Sequence, residues 1–177
     1  DVIDPALNTT VDGATMIIHC FEGLMTLDPN GTPIYGQAES HSVSEDGLTY
    51  TFKLRDGLKW SDGKPLTADD FVWSWNRAIS PETAADYAYM FESIEGYTEG
   101  NLNVSAPDEK TIVVKLVAPT PYFLELCAFP TFYPVRRDIV EQNPDTWILN
   151  PETYIGNGPY MLEEWAHDSH MIYKKNP

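Results

Sequence analysis

Two side chains have the type and setting to hold a ligand. Glu22 falls between Phe21 and Gly23, where a helical apolar pattern breaks. The glycine lets another backbone approach closely, and the residues alone favour a solvated turn carboxylate. Tyr87 sits in Thr83-Ala84-Ala85-Asp86-Tyr87-Ala88-Tyr89. A tyrosine offers a large flat area and one hydroxyl at low entropic cost, which suits a pocket that accepts varied ligands, and it serves equally well in a core. Other candidates lead to no chemistry. Asp69-Asp70 has the look of an acid pair, but adjacent helix residues point apart, and a capping role accounts for them. His167 and His170 would converge on a helix; a hairpin turn fits better there, and no second cluster completes a metal site. Cys20 and Cys127 both lie among apolar residues and read as buried free thiols, with pairing left open in an oxidising compartment. Trp60, Trp73, Trp75, Trp147 and Trp165 could form a sugar platform, but aromatic residues at helical or strand spacing belong more often to a core. No G-x-S-x-G, Walker loop or H-E-x-x-H is present. No catalytic residue, metal or cofactor is expected.

The elements that must position these residues are organised around Gly47–Trp75. From Leu48 to Arg55 every even position is apolar (Leu48, Tyr50, Phe52, Leu54), the period of a half-buried strand. Asp56-Gly57 and Asp62-Gly63 are turn dipeptides. Thr67 then opens a helix, with Asp70 three residues on as the second half of a capping box. The helix puts Ala68, Phe71, Val72, Trp75, Ala78 and Ile79 on one face and stops at Ser80-Pro81.

Around this centre, Asp12–Phe21 reads as a helix with Ala14, Ile17, Ile18 and Phe21 on one face. Asp1–Thr10 is irregular. Leu24–Leu27 is a short strand followed by the turn Asp28-Pro29-Asn30-Gly31. Glu82–Tyr97 is a weaker helical region. Asn101–Ala106 and Lys110–Val117 form a hairpin, with Ile112, Val114 and Leu116 inward. Pro119–Phe129 is a short helix, Phe132–Val135 extended and Arg136–Gln142 a short helix. Tyr160–Trp165 and Met171–Lys174 form a last hairpin. Helices and strands mix without regular βαβ alternation, so the class is mixed α+β or irregular α/β.

The 177 residues, 42% hydrophobic and 21% charged, describe a globular chain with a real core. The net charge of −16 argues against nucleic acid and against an anionic membrane surface as partners; solubility alone accounts for it. No apolar run approaches the ~20 residues a membrane span needs. The chain opens at Asp1 without an initiator Met or a signal peptide and reads as processed or truncated.

The run Lys53-Leu54-Arg55-Asp56-Gly57-Leu58-Lys59-Trp60-Ser61-Asp62-Gly63-Lys64-Pro65-Leu66-Thr67-Ala68-Asp69-Asp70-Phe71 resembles, without a gap, the signature region of solute-binding proteins of the oligopeptide/dipeptide ABC-transporter family (extracellular solute-binding protein family 5). Phe21-Glu22-Gly23-Leu24, Gly36-Gln37-Ala38-Glu39-Ser40, Pro121-Tyr122-Phe123 and Gly156-Asn157-Gly158-Pro159-Tyr160 resemble further segments of that family. The resemblance covers essentially the whole chain, which would be an N-terminal fragment of a longer protein.

The resemblance implies a type II periplasmic-binding-protein-like fold with a partial first lobe. Residues 1–36 and 130–177 would belong to that lobe, 37–129 to an inserted subdomain, and the second lobe would be absent. It implies capture of oligopeptides between two lobes for an ABC importer, with Glu22, Gly23, Leu24 and Tyr87 at the ligand and no chemistry. It further implies permease partners, a monomer, and a place on the outer face of the cytoplasmic membrane through a lipid anchor, or in the periplasm. Rival readings are the same fold holding a nickel chelate, haem or an oligosaccharide, and a glycoside hydrolase, which would need two carboxylates ~5–10 Å apart across a cleft.

Overall fold

The computed structural model describes residues 2–166 and 170–176. Its centre is a four-stranded antiparallel sheet in the order β3-β4-β6-β5. These strands are β3 (Ala38–Val43), β4 (Thr49–Leu54), β5 (Val104–Asp108) and β6 (Thr111–Lys115). The alternation in β4 turns Tyr50, Phe52 and Leu54 into the core, and its register sets Tyr50 opposite Val114 and Phe52 opposite Ile112. The two inward sets therefore meet on one face, as period-two strands must. Both turn dipeptides place their glycine at positive φ, Gly57 at 71° and Gly63 at 87°.

Helix α2 (Ala68–Ile79) covers this face. Asp70 accepts the Thr67 N–H at 2.8 Å and closes the capping box. Ala68, Phe71, Ser74, Trp75 and Ala78 are buried; Val72 and Ile79 are only partly so. Ser74 belongs to the stripe because its hydroxyl accepts the Val135 N–H at 2.8 Å, which satisfies a polar group inside the core. Trp75 packs between Phe91 and Phe132.

Around this unit lie helix α1 (Val11–Cys20), the small ladder of β1 (Met25–Leu27) with β2 (Pro33–Tyr35), and the short helices α3 (Phe123–Leu126) and α4 (Arg137–Gln142). The hairpin of β7 (Tyr160–Ala166) and β8 (His170–Lys175) follows. Asp4, almost fully buried, holds Arg77 of α2 in an ion pair, and its carboxylate also accepts the Ala6 N–H at 2.9 Å. The irregular N-terminal stretch is thereby pinned to the core.

Several expectations are corrected. Residues 82–97 are not a helix; they hold one 3₁₀ turn, Ala88–Phe91, among irregular turns. Ala84 at φ 51° and Gly96 at φ 91° take left-handed backbone that a helix does not tolerate, while Phe91 and Ile94 are still buried. In α1 the buried set is Gly13, Ile17 and Cys20, and Ile18 faces out. The helix of 119–129 shrinks to the single turn of α3. Trp60, Trp75 and Trp147 are buried, and Arg137 lies 5.8 Å over the half-buried Trp73 ring, so these four form no exposed platform. The side chain of Trp165 and all of His167 lie outside the described residues. Cys20 and Cys127 are buried and free; burial pushes both thiols up, Cys20 to about 12.

One ion-pair network makes a pH prediction. The almost fully buried Arg136 donates Nε and Nη2 to the two oxygens of Asp138 (2.7 and 2.9 Å) and Nη1 to Asp62 (2.7 Å). Its guanidinium lies 6.0 Å over the Trp60 ring. The hydrogen bonds from Arg136 outweigh burial and hold the Asp138 carboxyl down, from 3.8 to about 2. A depressed carboxylate stabilises the fold above its unfolded value and loses that contribution as pH falls through the folded one. Asp138→Asn should therefore cost stability above pH ~4, by at most ~1 kcal/mol because the carboxylate is half exposed and screened. That cost should shrink as pH falls from ~4 towards 2 and vanish below 2, as read from urea melts across the range. An equal cost at pH 6 and pH 2 would remove the ion pair from the explanation.

Candidate ligand-binding site

The site begins where α1 ends. Thr10 caps the helix start by accepting the Gly13 N–H at 3.0 Å. At the other end Phe21 leaves helical geometry (φ −132°, ψ 157°). Its ring is held edge-on by Trp147 and Tyr154, 6.3 and 5.3 Å between centroids. Tyr154 in turn donates its hydroxyl to the Ile3 carbonyl at 2.6 Å. With Phe21 locked inward, the next residue of the extended chain, Glu22, turns out and is half-buried.

Three neighbours hold Glu22. The Asn157 side chain accepts the Glu22 N–H at 2.9 Å and donates to the Glu22 carbonyl at 2.8 Å. Gln37 donates to Glu22 Oε1 at 2.8 Å. Gly156 and Gly158 bring Asn157 to this point, because their chain lies directly on the end of α1. A Cβ on Gly156 would stand 1.8 Å from the Cys20 carbonyl oxygen, and one on Gly158 2.5 Å from the Phe21 nitrogen. The Gly158 N–H donates to that Cys20 carbonyl at 2.9 Å, satisfying an acceptor that the helix end leaves unpaired.

Gly23 and Leu24 act through their backbone. The Gly23 carbonyl accepts the Gln37 N–H at 2.9 Å and the Leu24 carbonyl the Gly36 N–H at 2.9 Å. The Leu24 side chain is fully buried, so it cannot meet a ligand. A Cβ on Gly23 would lie 2.5 Å from the Cys127 carbonyl oxygen and 3.1 Å from the Tyr133 ring. Burial, and then the Glu22 charge, push the Tyr133 phenol well up.

Tyr87 sits elsewhere. It meets Tyr89 edge-on at 6.2 Å and lines an apolar cavity of about 400 Å³ with Val11, Tyr89, Met90 and Phe129. That cavity, which does not include Glu22, lies at the N-terminal end of α1. Glu22 follows the C-terminal end, and a ten-residue helix separates them by ~15 Å. The structure thus leaves Glu22 and Tyr87 at two ends of one helix. Gln37 and Asn157 belong to two segments recognisable in the sequence, yet their partnership with Glu22 spans 15 and 135 residues and has no local signal. Among the described residues no group of three or more His, Cys, Asp or Glu is placed to hold a metal ion.

Residues 32–177 match the family model described as "Bacterial extracellular solute-binding proteins, family 5 Middle". The chain is similar to the oligopeptide-binding protein OppA of Bacillus subtilis (39% identical, covering 96% of this chain and 32% of that protein). It is also similar to the probable deoxycholate-binding periplasmic protein YgiS of Escherichia coli (35% identical, 99% of this chain and 34% of that protein). Among solved structures, Listeria monocytogenes OppA bound to peptide superposes with a TM-score of 0.93 at 35% identity, over 98% of this chain and 36% of that one. The chain spans about a third of the length of these relatives.

Proposed function

The chain belongs to the bacterial extracellular solute-binding proteins of family 5, and from that membership we propose that it forms part of a protein that captures oligopeptides outside the cytoplasm and delivers them to an ABC importer. The observation that carries this reading is the match over nearly the whole chain to a relative solved with its peptide. In this reading no bond is made or broken; ligand is held by closure of two lobes. Residues 1–36 and 130–177 build part of the first lobe and 37–129 an inserted subdomain, a division supported by the four-stranded sheet falling wholly within residues 38–115. Glu22, backed by Gly23 and Leu24, marks one end of the ligand path and Tyr87 the other. An extended peptide of four or five residues spans the ~15 Å between them, and wet pockets on either side accommodate varied side chains. Permease subunits are the partners, the protein is a monomer, and it resides in the periplasm or is lipid-anchored at the outer face of the cytoplasmic membrane.

The test is the ligand that travels with the protein. Native mass spectrometry of the intact protein, purified without refolding, should reveal mixed short peptides that denaturation releases. A bile acid, named by one relative, or haem, a nickel chelate or an oligosaccharide in place of peptides would overturn the assignment while leaving the family untouched.

A further inference from the structure

We propose that Gln37 and Asn157 are positioning residues that fix the Glu22 carboxylate for a hydrogen-bond donor of the bound peptide; this rests on the reading that Glu22 meets the ligand. Each contact has only one workable orientation. A carboxylate only accepts, so Gln37 must present its amide nitrogen to Oε1. The Glu22 N–H must meet Asn157 Oδ1, and the Glu22 carbonyl must meet Nδ2.

The outcome is directional. Asn157 occupies both main-chain groups of Glu22, which leaves the carboxylate as the group Glu22 offers a ligand. Gln37 takes Oε1, and among the described residues Oε2 has no hydrogen-bond partner. Gln37 is itself held, since its N–H donates to the Gly23 carbonyl at 2.9 Å and its carbonyl accepts the Arg55 N–H at 3.0 Å. The main chain that carries the orienting amide is thus held on both sides, and a preorganised acceptor loses little freedom on binding. Behind the clamp lies a cavity of about 500 Å³, as much apolar as polar, that Gln37 and Asn157 line together with Leu58, Trp60, Ser61 and Asn176. This space lets Gln37 change to a side chain of similar length without overpacking.

The experiment is calorimetry of the intact protein with a mixed tri- to pentapeptide library, paired with melting temperatures. Glu22→Gln should weaken binding about tenfold or more. Gln37→Met, which keeps the shape and loses the donor, should weaken it about tenfold with little change in Tm. On the Glu22→Gln background, Gln37→Met should add nothing. The exchanged pair Glu22→Gln with Gln37→Glu, which restores the hydrogen bond with the charge on the other side, should keep the wild-type Tm but not regain the affinity; a purely structural bond would restore the affinity as well. Asn157→Asp keeps the acceptor for the Glu22 N–H and turns a repelling oxygen on the Glu22 carbonyl; it should weaken binding in the same direction. Loss of affinity in Glu22→Gln with none in Gln37→Met and Asn157→Asp overturns the positioning role alone. Unchanged affinity in Glu22→Gln, or a wild-type protein that binds none of the library, overturns the ligand reading and this proposal with it.

Discussion

Trp75→Ala should destabilise the fold by roughly 3–5 kcal/mol. The indole is fully buried in the stripe that α2 lays on the sheet, with Phe91 5.9 Å and Phe132 5.2 Å away between ring centroids. Its Nε1–H donates to the Phe132 carbonyl at 2.9 Å. Alanine would leave a cavity and also strand that buried carbonyl, and an unpaired buried acceptor adds its own penalty. Thr67→Ala is the internal control. It touches the same helix but only its capping box, and should cost about 1 kcal/mol. Urea melts of both variants give the comparison. Equal costs would mean that the contact of α2 with the 130–132 turn contributes little to stability.

Gly156→Ala should be nearly as damaging, by roughly 3 kcal/mol or more. The obstacle is the Cys20 carbonyl oxygen, 1.8 Å from the new Cβ, with the carbonyl carbon at 2.8 Å. Both are backbone atoms at the end of α1, so they cannot move aside as a side-chain tip would. Relief requires lifting the 156–158 segment off the helix, which also draws Asn157 away from Glu22. Gly57→Ala separates crowding from backbone preference. Gly57 has positive φ but no atom within 4 Å of the added carbon, so it should cost only ~1–2 kcal/mol. Thermal melts showing Gly156→Ala no worse than Gly57→Ala would contradict the close packing of this segment.

What the sequence made legible follows from the range of each interaction. The strand Thr49–Leu54, the helix Ala68–Ile79 and the hairpin through Thr111–Lys115 were readable because each buries one face and repeats its period for at least five residues. The stretch 82–97 resembles a helix in sequence because its buried residues, Phe91 and Ile94, serve irregular turns, and a left-handed Ala84 carries none of the warning that glycine gives. Ser74 escaped because its burial depends on the Val135 amide, 61 residues away. At the site, the break in pattern beside Gly23 marks where α1 ends and Glu22 leaves the helix, but the pattern alone reads Glu22 as a solvated turn residue. The contacts of Gln37 and Asn157 with Glu22 have no local signal, although both residues stand in recognisable segments, because these contacts join positions 15 and 135 residues apart. Ile18 shares helical spacing with Ala14, but the buried face of α1 runs through Gly13, Ile17 and Cys20 and leaves Ile18 outside.

The pairing of Asn157 with Glu22 also sets an order of events in folding. It joins positions 135 residues apart, whereas the β3–β4 hairpin closes through a turn of five residues, Ser44–Leu48. Each doubling of loop length adds ~0.6 kcal/mol of closure entropy, so the longer closure costs roughly 3 kcal/mol more. The sheet and α2 can assemble while residue 157 is still being synthesised, but Glu22 cannot be clamped until that residue has arrived. The clamp on Glu22 therefore forms after the sheet, and a chain stopped before residue 157 would fold its sheet with Glu22 unclamped.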